Sequence, residues 1–184
     1  MEQDVCQLKV TLRGTRPPIW RRLLVPADTT LTQLHRILQT AMGWQNSHVH
    51  EFRIDARRTA GMGTARMERG ARIGEVLREG GSSLTYTYDL GDNWEHSIVL
   101  EKRFAGGDGT EYPVCVEGQR ACPPEDCGGV PGYYDLLEVL RNPDDERHEE
   151  MREWIGADFD AHAFSIDAVN RQLRGGRGRR RRSG

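Results

Sequence analysis

The stretch 6-CQLKVTL-12 decides how the chain has to fold. Its apolar residues stand at every second position: Cys6, Leu8, Val10 and Leu12. Polar residues fill the positions between them, and this period of two is typical of a strand that buries one face. After a Pro-Pro pair, 19-IWRRLLV-25 has the character of a second strand. The chain therefore begins with two strands that pair as a hairpin with a long connection.

The next segment predicts a helix with both ends marked. Thr30 and Gln33 form a capping box, and Gly43 follows an apolar stripe at helical spacing. Further along, 48-HVHEFRI-54 returns to strand period and places His48 and His50 on one face with Phe52. A short helix around residues 73–77 and two strands joined by the turn 89-DLGDN-93 follow, with residues 55–71 interpreted as a loop.

From residue 104 to residue 131 the sequence has neither helical nor strand periodicity, and Gly, Pro and Cys dominate. Three helical patterns then close the body: Tyr134–Arg141, Asp144–Ile155 with Asp144 as N-cap, and Ser165–Leu173 with Ser165 as N-cap. Strands gathered early and helices gathered late predict an α+β domain. We expect a mostly antiparallel or mixed sheet of about five strands, helices covering one face, and a long Cys-rich loop before the C-terminal helices.

Charge divides the 184-residue chain into a single domain over residues 1–173 and an Arg/Gly-rich tail over residues 174–184. The tail holds six arginines: Arg174, Arg177, Arg179, Arg180, Arg181 and Arg182. Because the whole chain has a formal net charge of -2, the body is acidic and repels phosphate backbones. Two interpretations of the tail remain open, a disordered solubilising end and a nonspecific contact with nucleic acid.

Compartment and redox state follow from the same composition. No apolar run approaches the roughly 18 residues of a membrane helix, and the first ten residues are too polar for a signal peptide. We therefore expect a cytoplasmic protein without a membrane partner. Four cysteines in such a compartment favour free thiols or metal ligands over disulfides.

The three later cysteines are candidate zinc ligands. Cys115, Cys122 and Cys127 fall in the aperiodic segment, where Pro and Gly allow a loop to wrap around a metal. The spacing lacks a CxxC pair, so a fourth ligand has to come from elsewhere, and the candidates are His148, His96 and His50. Small buried hydrophobes and a redox pair are the alternatives.

A second constellation consists of histidines on strands and acids in a turn: His48, His50, His96, Asp89 and Asp92. Such a set could bind a metal or perform general acid and base chemistry. The plainer interpretation is that the histidines are core residues and that the turn caps its own backbone. Walker, HExxH, GxSxG and GxGxxG motifs are absent from the sequence.

Three long blocks carry a resemblance to a known family. They are residues 8–52 with PPIWRR and AMGWQNSHVH, residues 86–102 with YDLGDNWEH, and residues 121–173 with PPEDCGG. Together they resemble the plasmid pRiA4b open-reading-frame-three family, in family order, over about residues 5–173. The resemblance implies an uncharacterised α+β domain associated with mobile elements and at times labelled resolvase-like.

The resemblance marks candidate site positions but assigns a role to none of them. They are Trp20, Trp44, His48, His50, Asp89, Gly91, Asp92, Trp94, His96, Pro123, Pro124, Glu125, Asp126, Cys127, Gly128 and Gly129. A serine recombinase needs a nucleophilic Ser after its first strand, whereas here Leu12 leads through Arg13-Gly14-Thr15 to prolines, so recombinase activity is rejected.

These observations favour a small non-catalytic binding or adaptor domain whose Cys-rich loop is organised by a metal or by its own Pro and Gly turns, with a protein as one candidate partner. The predicted binding residues are Trp20, Trp44, Trp94, Glu125 and Asp126. The alternative is a metal-dependent hydrolase or nuclease that uses His48, His50, Asp89, Asp92 and His96.

Overall fold

The computed structural model describes residues 3–55, 65–66, 70–77, 83–107 and 109–178. Its strands are β1 (Asp4–Leu12), β2 (Ile19–Pro26), β3 (His50–Asp55), β4 (Ala65–Arg66), β5 (Ser83–Tyr88), β6 (Trp94–Ala105) and β7 (Val114–Gln119). Its helices are α1 (Leu31–Met42), α2 (Ile73–Val76), α3 (Gly129–Arg141), α4 (His148–Ile155) and α5 (Ile166–Gly178).

All the strands belong to one sheet in the order β4-β3-β5-β6-β1-β2-β7. Each neighbouring pair is antiparallel. The predicted α+β class and its antiparallel sheet are therefore confirmed. β1 lies in the interior, where Leu12 pairs with Ile19 of β2 on one side and with His96 of β6 on the other.

One face of the sheet is buried, and its residues are those that the period of two places there. Leu8 and Val10 are fully buried, while Lys9 and Thr11 between them are half-buried on the other face. The core cluster joins this face to apolar residues of α1 and α5, including Leu34, Leu38, Val169 and Leu173. The helical layer thus covers the face that the strand pattern leaves apolar.

Both ends of α1 form as the sequence predicts. The Gln33 N–H donates to Thr30 Oγ1 at 3.3 Å, and the Thr30 N–H donates to Gln33 Oε1 at 2.8 Å. Gly43 ends the helix at φ 108°, a left-handed conformation that glycine adopts without steric cost. Ser165 likewise caps α5, because its Oγ accepts from the Ala168 N–H at 3.2 Å.

The structure corrects the prediction at several places. The segment expected to be a long Cys-rich loop contains strand β7, which pairs with β2 and carries Cys115. Helix α4 begins at His148, because Asp144 belongs to a turn in which Asp145 Oδ1 accepts from the Arg147 N–H. His48 precedes β3 instead of lying on it.

The end of the chain differs from the prediction as well. Helix α5 passes the expected boundary at residue 173 and runs through Gly178. The loop predicted over residues 55–71 falls largely outside the described residues. Within the part of the chain that the structure describes, no helix is long and apolar enough to span a membrane.

A buried arginine joins β2, β7 and α1. Arg21 is only 2% exposed, and its guanidinium donates to the carbonyl oxygens of Ala41, Trp20, Gln119 and Arg120 at 2.8–2.9 Å. The ring of Phe164 lies 4.1 Å from the guanidinium carbon. Burial lowers the pKa of Arg21, but the four carbonyl bonds replace the hydration that the cation loses.

We expect Arg21→Lys to lower the free energy of unfolding by roughly 2–4 kcal/mol, because an ammonium group cannot reach all four carbonyls and remains a buried charge. Arg22→Lys is the matched control. Arg22 lies on the open face with a side chain that is 22% exposed and pairs with Glu101, so its loss should stay below about 1 kcal/mol. Urea denaturation measures both, and equal losses for the two variants would contradict the assignment.

Candidate functional site

Three separate loops meet beside the start of β3. They are residues 43–49 after α1, the turn 89–93 between β5 and β6, and residues 120–128 before α3. Together they bring His48, Asp89, Glu125 and Asp126 into one cluster. We call this set the His48 cluster.

The His48 cluster brings together side chains that could hold a metal ion. His48 Nε2 lies 3.0 Å from Asp126 Oδ1, 3.5 Å from Glu125 Oε2 and 3.7 Å from Asp89 Oδ2. One ligand atom each of His48, Asp89 and Asp126 lies within 4.8 Å of the other two. Among the described residues this is the one group of three or more such ligands. Asp126 is 71% exposed, so the cluster opens to solvent.

Tyr88 at the end of β5 fixes the loop that carries His48. Its hydroxyl oxygen accepts from the Ser47 N–H at 2.9 Å and from the His48 N–H at 3.3 Å. The same hydroxyl donates to the Glu125 carboxylate at 3.0 Å. Burial raises the pKa of Tyr88, so the hydroxyl keeps the proton that it donates. Sequence analysis missed this role, although a core-face tyrosine that ends a strand needs a polar partner.

Glu125 connects the two loops on either side of the cluster. Its carboxylate accepts from the Gln45 N–H at 2.5 Å and from the Ser47 hydroxyl, in addition to Tyr88. Its side chain is 8% exposed, in contrast to that of Asp126 beside it. Glu125 is therefore a positioning residue, while Asp126 presents its carboxylate to solvent.

The backbone around the cluster adopts left-handed conformations that side chains seldom take. Asn46, Asp89 and Asp126 have φ values of 59°, 54° and 59°. Asp and Asn tolerate this region better than other residues, and such positions concentrate at functional sites. Asp89 Oδ1 accepts from the Gly91 N–H at 2.9 Å, which leaves its Oδ2 facing His48.

Asp92 and Gly129 join the turn to the start of α3. Asp92 Oδ2 accepts from the Gly128 N–H at 3.2 Å. Gly129 has φ 68°, and a Cβ at this position would lie 2.5 Å from the Asp92 carbonyl oxygen. The GG pair thus allows the backbone of α3 to contact the turn. Asp92 belongs to this contact and is not one of the three residues whose ligand atoms lie within 4.8 Å of one another.

A second network of hydrogen bonds joins α1 and β5 to the loop of residues 43–49. His35 on α1 donates from Nε2 to Asn46 Oδ1 at 2.7 Å and accepts at Nδ1 from the Tyr86 hydroxyl at 2.8 Å. Gln39 donates to the Tyr86 hydroxyl at 2.9 Å and accepts from the Asn46 N–H at 2.7 Å. His50 stacks on His35 with ring centroids 3.6 Å apart.

The structure divides the predicted His/Asp constellation. His96 is fully buried: its Nδ1 lies 3.2 Å from the Tyr86 carbonyl oxygen, and its Nε2 accepts from Trp44 Nε1 at 3.2 Å. Burial lowers the pKa of His96 to about 4, so the ring is neutral. His96 is a core residue and His50 belongs to the stack, so His48 and Asp89 are the members of the predicted set that share one site.

The predicted zinc ligands do not form a ligand group in the described part of the chain. Cys115 is buried in β7, and its backbone exchanges hydrogen bonds with the Asn170 side chain. Burial raises the pKa of Cys115 to about 11 and that of Cys127 to about 12. It also raises the pKa of Cys122 well above its ordinary value. His148 is buried, and its Nδ1 donates to the Val139 carbonyl at 3.0 Å.

Two of the three tryptophans in the predicted binding set are buried. Trp44 and Trp94 are 6% and 1% exposed, with ring centroids 5.3 Å apart. Trp20 lies half-buried on the open face of the sheet, where Lys9 and Arg22 lie 5.0 Å and 5.2 Å from its ring. Glu125 and Asp126, the other members of that set, are in the His48 cluster.

The Arg/Gly-rich tail, for which contact with nucleic acid is one of two interpretations, begins inside a helix. Arg174 and Arg177 belong to α5. Arg179, Arg180, Arg181 and Arg182 lie outside the described residues.

Fold and site together define an α+β protein with one antiparallel sheet and a His-carboxylate cluster among its loops. The family model described as Plasmid pRiA4b ORF-3-like protein matches residues 4–168, and the chain belongs to this family. Similar proteins include the uncharacterized protein y4hQ of Sinorhizobium fredii (strain NBRC 101917 / NGR234), 41% identical over 183 residues that cover 94% of this chain and 92% of that protein.

A solved structure has the same fold. The crystal structure of a protein of unknown function, MM3350 from Methanosarcina mazei Go1, superposes with a TM-score of 0.84 at 37% identity. The match covers 91% of this chain and 98% of that chain. Three of the segments that carry the family resemblance, HVH, YDLGDN and PPEDCGG, meet at the His48 cluster.

We expect the burial of neutral His96 to make stability depend on pH. The pKa of His96 lies near 4 in the folded chain and rises to its ordinary 6.5 on unfolding, so the unfolded state gains a proton first as pH falls. About 3 kcal/mol of stability is present above pH 6.5 and is lost toward pH 4. Urea denaturation across this range should show a flatter profile for His96→Gln, while exposed His162→Gln keeps the original profile. An unchanged slope in His96→Gln would contradict this expectation.

The nucleic-acid interpretation of the tail predicts binding that weakens with salt and does not depend on sequence. Deleting residues 179–184 removes four arginines and leaves α5 intact. The slope of log affinity against log salt should become shallower by about 3 in the truncated chain. Fluorescence anisotropy with labelled single-stranded DNA measures this slope, and equal binding by both chains would refute a role for the tail.

Proposed function

We propose that this chain is a divalent-cation-binding domain whose centre consists of His48, Asp89 and Asp126. The observation that carries the proposal is the approach of one imidazole nitrogen and two carboxylate oxygens to within 4.8 Å of one another. Imidazole and carboxylate ligands together suit Mn²⁺, Fe²⁺ and Zn²⁺. The proposal moves the metal from the cysteines to the loops around His48.

Charge supports a cation at this position. Three carboxylates, those of Asp89, Glu125 and Asp126, lie within 4 Å of His48 Nε2. Among the described residues His48 is the one side chain that could pair with them as a cation. A neutral imidazole leaves the cluster with three negative charges, and a divalent ion would balance most of that charge.

Support also comes from His48 itself. Its Nε2 atom is buried and makes no hydrogen bond of acceptable geometry with any described residue, although Asp126 Oδ1 is 3.0 Å away. A ring nitrogen held near carboxylates without a hydrogen bond is suited to donate its lone pair to a metal. The Glu125 carboxylate already accepts hydrogen bonds from Gln45, Ser47 and Tyr88. It would orient the loop around the ion, as residues that hydrogen-bond to metal ligands do.

The exposure of the cluster favours a binding role over catalysis. Three protein ligands leave coordination positions open, and the exposed Asp126 carboxylate places them at the surface. A carboxylate or phosphate of a partner could complete the coordination there. This retains the idea of a non-catalytic binding or adaptor domain, with a metal as part of the contact.

A metal-dependent hydrolase is the second candidate, because the same open positions would hold a water that the metal activates. Hydrolysis of bis(p-nitrophenyl) phosphate with Mn²⁺ or Zn²⁺ tests this candidate. Activity that Asp126→Asn removes would support it, and no turnover by the metal-loaded chain would leave the binding role.

We expect isothermal titration of the full chain with Mn²⁺ or Zn²⁺ to show one site per chain. Asp126→Asn should weaken the affinity roughly 10–100-fold, because an amide oxygen lacks the charge of a carboxylate. Asp126 is exposed, so thermal stability without metal should hardly change.

Two further variants sharpen this titration. Asp144→Asn, an exposed acid in the turn before α4, should keep the affinity of the natural chain. Cys127→Ser distinguishes the competing zinc site, because it should retain the metal if His48 is a ligand and lose it if the cysteines are. Equal affinity of the natural chain and Asp126→Asn would refute the His48 site.

A further inference from the structure

A cleft of about 500 Å³ opens beside α1, α2 and α5, and it contains no member of the His48 cluster. Its volume lies in the range of small-molecule sites. Ile37 of α1, Tyr112 before β7 and Leu173 of α5 supply apolar surface to its wall, and each is less than 10% exposed. The wall is therefore fixed by the core of the protein.

Two arginines bring positive charge to the cleft. Arg72 donates from Nη1 to the Asp28 carbonyl oxygen at 2.8 Å, and this bond holds its guanidinium beside the cleft. Arg36 projects from the exposed side of α1 and forms no ion pair with any described residue. Asp28 is the one acid among the lining residues. The lining is thus net positive in a chain whose formal net charge is -2.

Polar groups complete the lining without adding negative charge. Gln33 and Gln172 bring side-chain amides, and Thr29 and Thr40 bring hydroxyls. Amides and hydroxyls can donate hydrogen bonds to the oxygens of an acidic group. Arg36 alone offers five N–H donors in a planar fork that matches a carboxylate, sulfonate or phosphate.

We propose that this cleft binds a small amphipathic anion, an apolar or aromatic body that carries one acidic oxygen group. The body packs against Ile37, Tyr112 and Leu173, and the acidic group faces Arg36 and Arg72. The site is independent of the His48 cluster, so removal of metal leaves it intact.

The probe is 8-anilinonaphthalene-1-sulfonate, an aromatic body with one sulfonate, titrated into the full chain and followed by fluorescence. Its neutral counterpart without the sulfonate, N-phenyl-1-naphthylamine, measures the apolar contribution alone. We expect saturable binding of the sulfonate to one site and binding of the neutral compound at least about tenfold weaker.

Variants place the binding in the cleft. Arg36→Gln should weaken sulfonate binding about tenfold without changing the affinity for the neutral compound. Arg152→Gln, which removes an exposed arginine of α4 outside the cleft, should bind the sulfonate as the natural chain does. Thr40→Phe fills the cleft and should abolish binding of both compounds.

Two results would overturn the proposal. One is equal affinity of the natural chain and Arg36→Gln for the sulfonate, and the other is retained binding in a folded Thr40→Phe chain. Circular dichroism of each variant establishes that it is folded.

Discussion

The core face of the sheet buries polar groups among apolar ones, and Tyr86, Tyr88 and His96 on that face find their hydrogen-bond partners inside the protein. Tyr86, Tyr88 and His96 stand on this face because the period of two places them there. Their partners come from the end of α1 and from the loop that follows it, among them Trp44 and Ser47. A buried polar group without a partner costs about 1–3 kcal/mol, so these bonds determine the path of the loop. The position of His48 is therefore a consequence of core packing.

The pairing of buried polar groups also explains why acidic residues lie close together beside His48. Tyr88 donates to Glu125, which draws the loop of residues 120–128 toward the sheet and leaves Asp126 beside His48. Two states of the imidazole are consistent with this arrangement, a protonated ring that pairs with the carboxylates and a neutral ring that binds a metal. A proton supplies one positive charge against three carboxylates, whereas a divalent ion supplies two and uses a lone pair that makes no hydrogen bond. This charge balance supports the proposed divalent-cation site.

Short sequence patterns predicted local structure, but they could not predict contacts between residues that are distant in sequence. The capping box of Thr30 and Gln33 spans three positions, so both it and the Gly43 end of α1 could be predicted. Strand β7 could not, because VCVEGQ is short and obtains its strand conformation by pairing with the edge of β2. His48 and Asp126 were each singled out, but in different sets, since no periodicity places a loop after α1 against a loop before α3. The resemblance to the family marked all three converging segments without indicating that they meet.

The open face of the sheet differs from the edge that carries the His48 cluster, because its charged side chains already pair with one another. Trp20 lies half-buried on this face, and Lys9 and Arg22 lie against its ring. Arg22 is in turn bound by Glu101 and Glu117. Cations and acids there alternate and satisfy one another, so a polyanion would have to break internal pairs before it bound. At the His48 edge the charges have one sign, and three carboxylates share one imidazole. No second cationic side chain among the described residues pairs with these carboxylates, which is why we propose the cation site at that edge.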